Sequence, residues 1–236
     1  MPFATRSRRD PLPELPPLPS MEVHQAWDAD FMASLQGRTR EEMQHRFDEG
    51  HRAYVAWWNE VPAAWGWVAT RIASIGEIGA HFDIPRGERY LWNFVTLPSH
   101  RGRGIYPRLL QAIVRAESAE ATRFWIGYAP ENHASGAGIA RAGFVTSAEV
   151  SFDPKGRAAT RALVPGGGAA VSRVLGIQET SEPLTPCWRC VRAGRGVMGC
   201  AEGSCACDYQ IAESGCEGGG ATATASTSYP VRSTGT

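Results

Sequence analysis

Residues 96–117 read TLPSHRGRGIYPRLLQAIVRAE. Two glycines and two arginines lie between the apolar segment RYLWNFVTL (89–97) and a long run with helical spacing. The apolar segment is typical of a buried strand. The run predicts a helix, because its apolar residues recur on one face. These residues are Ile105, Leu109, Leu110, Ile113 and Val114. The stretch therefore predicts a strand, a tight turn and an amphipathic helix in direct succession.

The turn has the features of an anion site. Backbone N–H groups at the start of a helix have no partner within the helix and carry partial positive charge. Glycine at 102 and 104 permits a tight turn and removes the Cβ atoms that would keep a phosphate away. Arg101 and Arg103 add full positive charges. The N–H groups from Arg101 to Tyr106, including that of Ile105, form a predicted pyrophosphate cradle. The alternative is a solvated strand-to-helix turn.

The order of predicted elements is strand, two helices, a hairpin, strand, helix, strand, helix and final strands. It mixes antiparallel and β-α-β connections, and a right-handed crossover makes the strands on either side of the long helix neighbours. We divide the chain into a proline-rich arm (1–20), a folded domain (21–165), a linker (166–186), a cysteine-rich segment (187–216) and a low-complexity, disordered tail (217–236).

Composition narrows the function classes. The chain has 24 lysine and arginine residues and 24 aspartate and glutamate residues. The resulting net charge of zero does not indicate a nucleic-acid partner. No run of 18 apolar residues is present, which predicts no membrane span. The first 20 residues lack the apolar core of a secretory signal, so we predict a cytoplasmic location.

A second motif, APENHASGAGIARAGF (129–144), follows about thirty residues after the glycines. Together the two motifs resemble those of the GNAT family, the Gcn5-related N-acetyltransferases, over roughly residues 20–165. The first resembles the family's acetyl-CoA motif, R/Q-x-x-G-x-G/A after a strand. The second resembles its later N-x-x-[AS]…G-F signature. The resemblance implies an α/β (α+β) fold with a mixed central sheet, a splayed pair of strands and flanking helices.

The resemblance also implies a function and a set of cofactor contacts. The pantetheine arm of acetyl-CoA would pair with the backbone of Val95, Thr96 and Leu97, with a backbone N–H near Val95 polarising the thioester carbonyl. Asn132 and Ser135 match positions that contact this arm, although Asn132 is equally explained as a helix N-cap. The implied activity is acetyl-CoA-dependent N-acetylation of an amine on a small molecule or peptide. The alternative is a non-catalytic acyl-CoA sensor or partner-binding module.

Some positions depart from the family pattern. Ser99 stands where the motif usually has Arg or Gln. Ile139 stands where the later helix commonly has a tyrosine that protonates the thiolate. Tyr128 is a substitute donor or a packing residue, and a thiolate can also leave without an acid. Glu88 is our candidate general base, against the alternative of a solvated charge beside two arginines.

Asn93 and the hairpin tryptophans each have two interpretations. Asn93, in mid-strand, either orients water or forms hydrogen bonds with backbone groups. The tryptophans of the hairpin form core or an aromatic acceptor pocket. They are Trp57, Trp58, Trp65 and Trp67.

All six cysteines follow position 186. Cys187 and Cys190 form a CxxC pair, and Cys205 and Cys207 complete a predicted set of four zinc ligands. An iron–sulfur cluster and a set of unstructured thiols are the alternatives.

Overall fold

The computed structural model describes residues 1–184. The helices are α1 (Ala29–Gln36), α2 (Arg40–Asp48), α3 (Ile105–Glu117), α4 (His133–Arg141) and α5 (Gly167–Leu175), with a 3-10 turn at Pro98–His100. The strands are β1 (Pro2–Ser7), β2 (Met21–Ala26), β3 (Arg52–Trp58), β4 (Val61–Ala69), β5 (Ile72–Ile75), β6 (Ala80–Asp83), β7 (Glu88–Thr96), β8 (Arg123–Gly127), β9 (Val145–Phe152), β10 (Ala158–Ala162) and β11 (Gln178–Glu179).

Nine strands form one sheet in the order β11-β10-β9-β1-β8-β7-β4-β3-β2, and β5 pairs with β6 in a separate hairpin. The contact between β7 and β8 is parallel, as the crossover through α3 requires, and so is that between β10 and β11. The other neighbours in the large sheet are antiparallel. The predicted mixed sheet flanked by helices is confirmed.

Helices cover both faces of the sheet. The apolar stripe of α3 packs with Ile139 of α4 and with Leu91, Phe124 and Ile126 of the sheet. On the other face, α1 and α2 cover one half through Met32 and Met43. The other half is covered by α5 and by the β5–β6 hairpin. Within residues 1–184, no helix is long and apolar enough to cross a membrane.

The N-terminal segment differs from the predicted extended arm. Residues Pro2–Ser7 form β1, which lies inside the sheet between β8 and β9. Arg6 of this strand is only 2% exposed and donates to the Gly143 carbonyl at 2.9 Å, beyond the end of α4. A short strand that contains proline and arginine shows no clear alternation of apolar and polar residues in the sequence. In the structure, pairing with β8 and β9 stabilises this strand.

The segment that follows β1 lies along α3. Leu12 and Leu18 pack against the core, and Leu15 is half-buried between them, while the prolines around them are exposed. A leucine at every third position matches the three-residue period of a polyproline helix, which places all three on one side. The segment is therefore attached to the domain rather than free of it.

The predicted linker also contains structure. Residues Gly167–Leu175 form α5, whose Val171, Val174 and Leu175 are buried against the sheet. Their spacing is that of a helix face, so this part of the predicted linker belongs to the folded domain. The predicted cysteine-rich segment, all four predicted zinc ligands and the predicted tail lie outside the described residues.

Candidate functional site

Strand β7 has two neighbours along its first half and only one along its second half. Residues Glu88 to Leu91 pair with Arg123 to Ile126 of β8, and this pairing ends at Leu91. Beyond it, within residues 1–184, Val95 and Thr96 pair only with Trp65 and Ala64 of β4. A gap therefore opens between β7 and β8, as the splayed pair implied by the resemblance requires.

A bulge in β7 marks the start of the gap. Its register against β4 shifts between Trp65 and Trp67, so that one extra residue of β7 is accommodated there. Asn93 has a φ of 51°, in the left-handed region where asparagine is enriched among non-glycine residues. The ring of Phe94 then lies over Gly66, where an added Cβ would approach the ring to 2.0 Å. Because Asn93 is exposed, its role is to bend the strand rather than to satisfy a buried group.

The backbone beyond the bulge has a defined direction. Leu97 N–H donates to the Ala63 carbonyl at 2.9 Å. Since hydrogen-bonded pairs alternate in an antiparallel ladder, Val95 also directs its N–H toward β4, and Thr96 directs its N–H toward the gap. The N–H that faces the gap is therefore that of Thr96 and not, as the resemblance implied, one near Val95. The N–H of Leu97 is likewise bonded to β4, and Leu97 does not line the cleft.

The predicted cradle begins where the gap ends. Gly102 and Gly104 have φ values of 75° and 71°, which only glycine adopts readily. Gly104 is the N-cap of α3 and makes no side-chain capping bond, so the first-turn N–H groups of α3 have no side-chain cap. Arg101 contributes differently from the prediction. Its N–H donates to the Pro98 carbonyl at 3.3 Å, and its Nε donates to the Thr96 carbonyl at 3.2 Å, so it ties the turn to β7.

Helix α4 forms the opposite wall. The Asn132 side chain accepts the Ser135 N–H at 3.0 Å, so the N-cap interpretation of Asn132 is correct, and both residues also line the cleft. The Tyr106 hydroxyl lies 3.3 Å from the Ser135 hydroxyl. Burial raises the pKa of Tyr106 to about 12, so its phenol stays protonated at neutral pH. Ile139 is buried in the core and offers the cleft no polar group.

One cleft of about 610 Å³ joins these features. It brings together ten of the eleven predicted cofactor contacts, all except Leu97. Three arginines and a histidine line it, and no aspartate or glutamate does so among the described residues. The basic residues are His100, Arg101, Arg103 and Arg141. The cleft is therefore suited to an anionic ligand with an extended, amide-containing arm.

Sequence reasoning missed part of this lining. Phe94, His100 and Arg141 were not predicted. The place of Arg141 in the cleft could have been inferred from the sequence, because it lies two turns after Ala134 on the face of α4 that lines the cleft. The place of Phe94 could not, since its orientation depends on the bulge at Asn93.

Glu88 and Tyr128 are not part of the cleft. Glu88 starts β7, roughly 25 Å along the strand from Thr96 at about 3.3 Å per residue. Its carboxylate accepts hydrogen bonds from the Trp125 indole and, at 2.8 Å, from Arg173. The assignment of Glu88 as general base is therefore wrong, because the carboxylate cannot reach the gap. The ring of Tyr128 packs against Gly136 of α4 and has the packing role.

The hairpin tryptophans divide between the two faces of the sheet. Trp65 and Trp67 are 7% and 0% exposed and belong to the core beneath α1 and α2. Trp57 stacks on Phe31 of α1, with ring centroids 5.6 Å apart. Trp58 packs on the α3 side. Among residues 1–184, no group of three or more His, Cys, Asp or Glu side chains is arranged to hold a metal ion.

Comparison with known proteins bears on this cleft. A family model described as the acetyltransferase (GNAT) family matches residues 20–144, more than half of the chain. A search of curated proteins found no match.

Three solved structures illustrate the similarity. A GNAT-family acetyltransferase from Colwellia psychrerythraea is 15% identical over 61% of this chain and 52% of its own length, with a TM-score of 0.42. A GNAT-family acetyltransferase from Streptococcus pneumoniae is 14% identical over 56% of this chain and 90% of its own, with a TM-score of 0.42. An aminoglycoside antibiotic 6′-N-acetyltransferase from Acinetobacter haemolyticus is 21% identical over 56% of this chain and 97% of its own, with a TM-score of 0.41. On the family-model match, the chain belongs to the GNAT acetyltransferase family.

Proposed function

We propose that this protein is an acetyl-CoA-dependent N-acetyltransferase that acylates an amine of a small molecule or peptide. The observation that carries the proposal is the coincidence of three features at one cleft. These features are the half of β7 that pairs with β4 but not with β8, the start of α3 without a side-chain cap, and a lining whose charged side chains, among residues 1–184, are all basic.

The described residues fit acetyl-CoA in two parts. The N–H groups from Gly102 to Tyr106, except those used within the turn, would hold the pyrophosphate, with Arg103 and Arg141 adding charge. The N–H of Thr96 would donate a hydrogen bond to the extended arm, which would occupy the place of a neighbouring strand. A Cβ at position 102 or 104 would be strained at a positive φ, and this explains the glycines.

The main contribution of the protein to this reaction is to position the thioester and the amine. Bound acetyl-CoA supplies a thioester whose carbonyl carbon an uncharged amine can attack. The backbone of β7 fixes the arm in the gap, and this orientation supplies much of the rate enhancement. The phenol of Tyr106 is the tyrosine hydroxyl in the cleft and would donate its proton to the thiolate as it leaves. The proton that the attacking nitrogen loses would pass through solvent and restore the phenol.

Thiol release tests the proposal directly. Purified protein is incubated with acetyl-CoA and a panel of amines: a peptide N-terminus, a lysine side chain, a polyamine and an aminoglycoside. We expect free thiol to appear only with an accepted amine, in equal amount to the acetylated product found by mass spectrometry. Tight acetyl-CoA binding without amine-dependent thiol release across this panel would contradict the proposal.

A further inference from the structure

Two adjacent tryptophans at the end of β3 face opposite sides of the sheet. Trp57 stacks on Phe31 beneath α1. Trp58 points to the α3 side and lies beside the turn that carries the cradle. Successive residues of a strand point to opposite faces of the sheet. Trp57 therefore lies on the α1 side, whereas Trp58, the next residue, lies next to the proposed cofactor site.

Trp58 is in contact with two basic residues of the cleft. The guanidinium carbon of Arg103 lies 4.5 Å from the centroid of the Trp58 ring. The His100 ring meets the same indole edge-on, with centroids 5.8 Å apart. An arginine stacked on an aromatic face keeps all its N–H donors in the plane of the guanidinium, available to a phosphate.

The indole is itself held by the N-terminal segment. Trp58 Nε1 donates to the Pro19 carbonyl at 3.1 Å. The same segment reaches the cradle from its other side through Arg108, which donates to the Gly104 carbonyl at 2.6 Å and to the Pro16 carbonyl. The proline-rich segment is thus linked to the cradle through two side chains, Trp58 and Arg108.

We propose that Trp58 is a positioning residue that holds Arg103 beside the cradle for the phosphates of the cofactor, and that residues 12–19 hold Trp58. This inference rests on the proposed function for the identity of the ligand. Arg103 is exposed and would otherwise sample many rotamers in solvent, so fixing it before binding reduces the entropy lost on binding. Trp58 acts only through Arg103 and touches no reacting atom.

Three variants test the inference by calorimetry with acetyl-CoA. Trp58→Leu removes the aromatic face, and we expect a Kd about tenfold higher. Trp58→Phe keeps a ring for Arg103 but loses the bond to Pro19, and we expect a Kd within about threefold of wild type. Trp57→Leu makes the same change on the opposite face and should leave the Kd for acetyl-CoA unchanged. Equal Kd values for wild type and Trp58→Leu would overturn the inference, as would an equal loss in Trp57→Leu.

A thioester without phosphates separates positioning from general damage. S-acetyl-N-acetylcysteamine carries the reactive group alone, so its kcat/KM should be the same in wild type and Trp58→Leu. A parallel loss with this substrate would show that Trp58 supports the fold and not Arg103. Arg103→Met, a change at an exposed side chain, provides a second route if Trp58→Leu folds poorly. It should weaken acetyl-CoA binding to a similar extent, and no loss in Arg103→Met would also overturn the inference.

The outcomes distinguish this inference from the proposed function. Wild-type protein that fails to bind acetyl-CoA contradicts both. Wild-type protein that binds and turns over acetyl-CoA, with unchanged affinity in Trp58→Leu, contradicts the role of Trp58 alone.

Discussion

The two halves of β7 differ in what they contact, and the difference separates stability from function along one strand. In the first half, Tyr90 and Leu91 pair with β4 on one side and β8 on the other. In the second half, Val95 and Thr96 pair with β4 alone. The first half is therefore fixed by its neighbours, whereas the second leaves one row of backbone groups for a ligand.

Helix α3 repeats this division, because its two ends lie at the two halves of β7. Its last residue, Glu117, is 1% exposed and accepts from Arg89 Nε at 2.7 Å, Arg52 at 2.9 Å and the Tyr54 hydroxyl at 2.6 Å. Burial, followed by the bond to Glu117, raises the pKa of Tyr54, which keeps the phenol a donor. The first turn of α3 makes no side-chain capping bond. One end of the helix is thus anchored so that the other can present its N–H groups.

The largest effect should come from Glu117→Ala. Removing one partner from a buried ion-paired group typically costs 3–5 kcal/mol, since the remaining charge is left buried, so we expect a loss of about 4 kcal/mol in the free energy of unfolding. Chemical denaturation followed by circular dichroism measures it. Acetyl-CoA affinity of the folded protein should change little, and a large loss of affinity at full folding would break the separation between the two ends.

Glu120→Ala is the matched control for that variant. Glu120 contacts the same two arginines, Arg52 at 2.7 Å and Arg89 at 2.9 Å, but its side chain is 58% exposed. Solvent screens such pairs, so the loss of stability should be much smaller than in Glu117→Ala. Equal losses in the two variants would show that burial of Glu117 is not what makes the network important.

The junction of the two halves should be sensitive to pH. The His51 ring meets Trp92 of β7 edge-on at 5.1 Å and is 7% exposed. Burial, and then the cation of Arg46, lowers the pKa of His51 to about 4. An unfolded histidine titrates near 6.5, so this contribution to stability is complete above pH 6.5 and is lost as pH falls toward 4. The loss is about 3 kcal/mol at most.

Unfolding free energies of wild type and His51→Phe between pH 7 and pH 4 measure this contribution. The carboxylates titrate in both proteins, so the difference between the two curves isolates the histidine. We expect wild type to lose more stability than the variant over this window. Parallel curves would mean that His51 titrates normally in the folded protein.

A smaller effect is expected at Tyr106. Tyr106→Phe removes the hydroxyl 3.3 Å from Ser135 and keeps the ring that packs with Phe94. We expect kcat to fall about tenfold, less than for a typical lost general acid, because a thiolate is a fairly good leaving group. Acetyl-CoA affinity should stay within about twofold. Stopped assays at saturating substrate measure kcat, and an unchanged value would mean that the thiolate leaves without this donor.

The sequence was sufficient for the features that depend on local patterns. The apolar spacing of α3 predicted its buried face. The spacing of Thr39 and Glu42 is likewise the sequence signature of the capping box that begins α2. Gly102 and Gly104 predicted a turn that needs positive φ, and both adopt it. Each of these features is determined within a few residues of chain.

Features that depend on distant partners were missed or misplaced. Strand β1 is short and mixes apolar with polar residues, and it is a strand because β8 and β9 bond to both its edges. Glu88 is adjacent to the apolar strand in sequence, but the parallel pairing with β8 places it at the closed end of the gap. The shift of the available N–H from Val95 to Thr96 follows from the Leu97–Ala63 bond, and a single sequence contains no information about that register.

We propose that the open half of β7 and the start of α3 form one acetyl-CoA site. Calorimetry of acetyl-CoA with wild type, Gly104→Glu and Gly156→Glu tests it most directly. Gly156 has a φ of 75° in the turn between β9 and β10, so it tests the same strain and charge away from the cleft. Wild type and Gly156→Glu should bind alike. Gly104→Glu should lose at least about a hundredfold in affinity, or roughly 2.7 kcal/mol, because it places a carboxylate where the phosphates belong. Undiminished binding by Gly104→Glu would contradict the account.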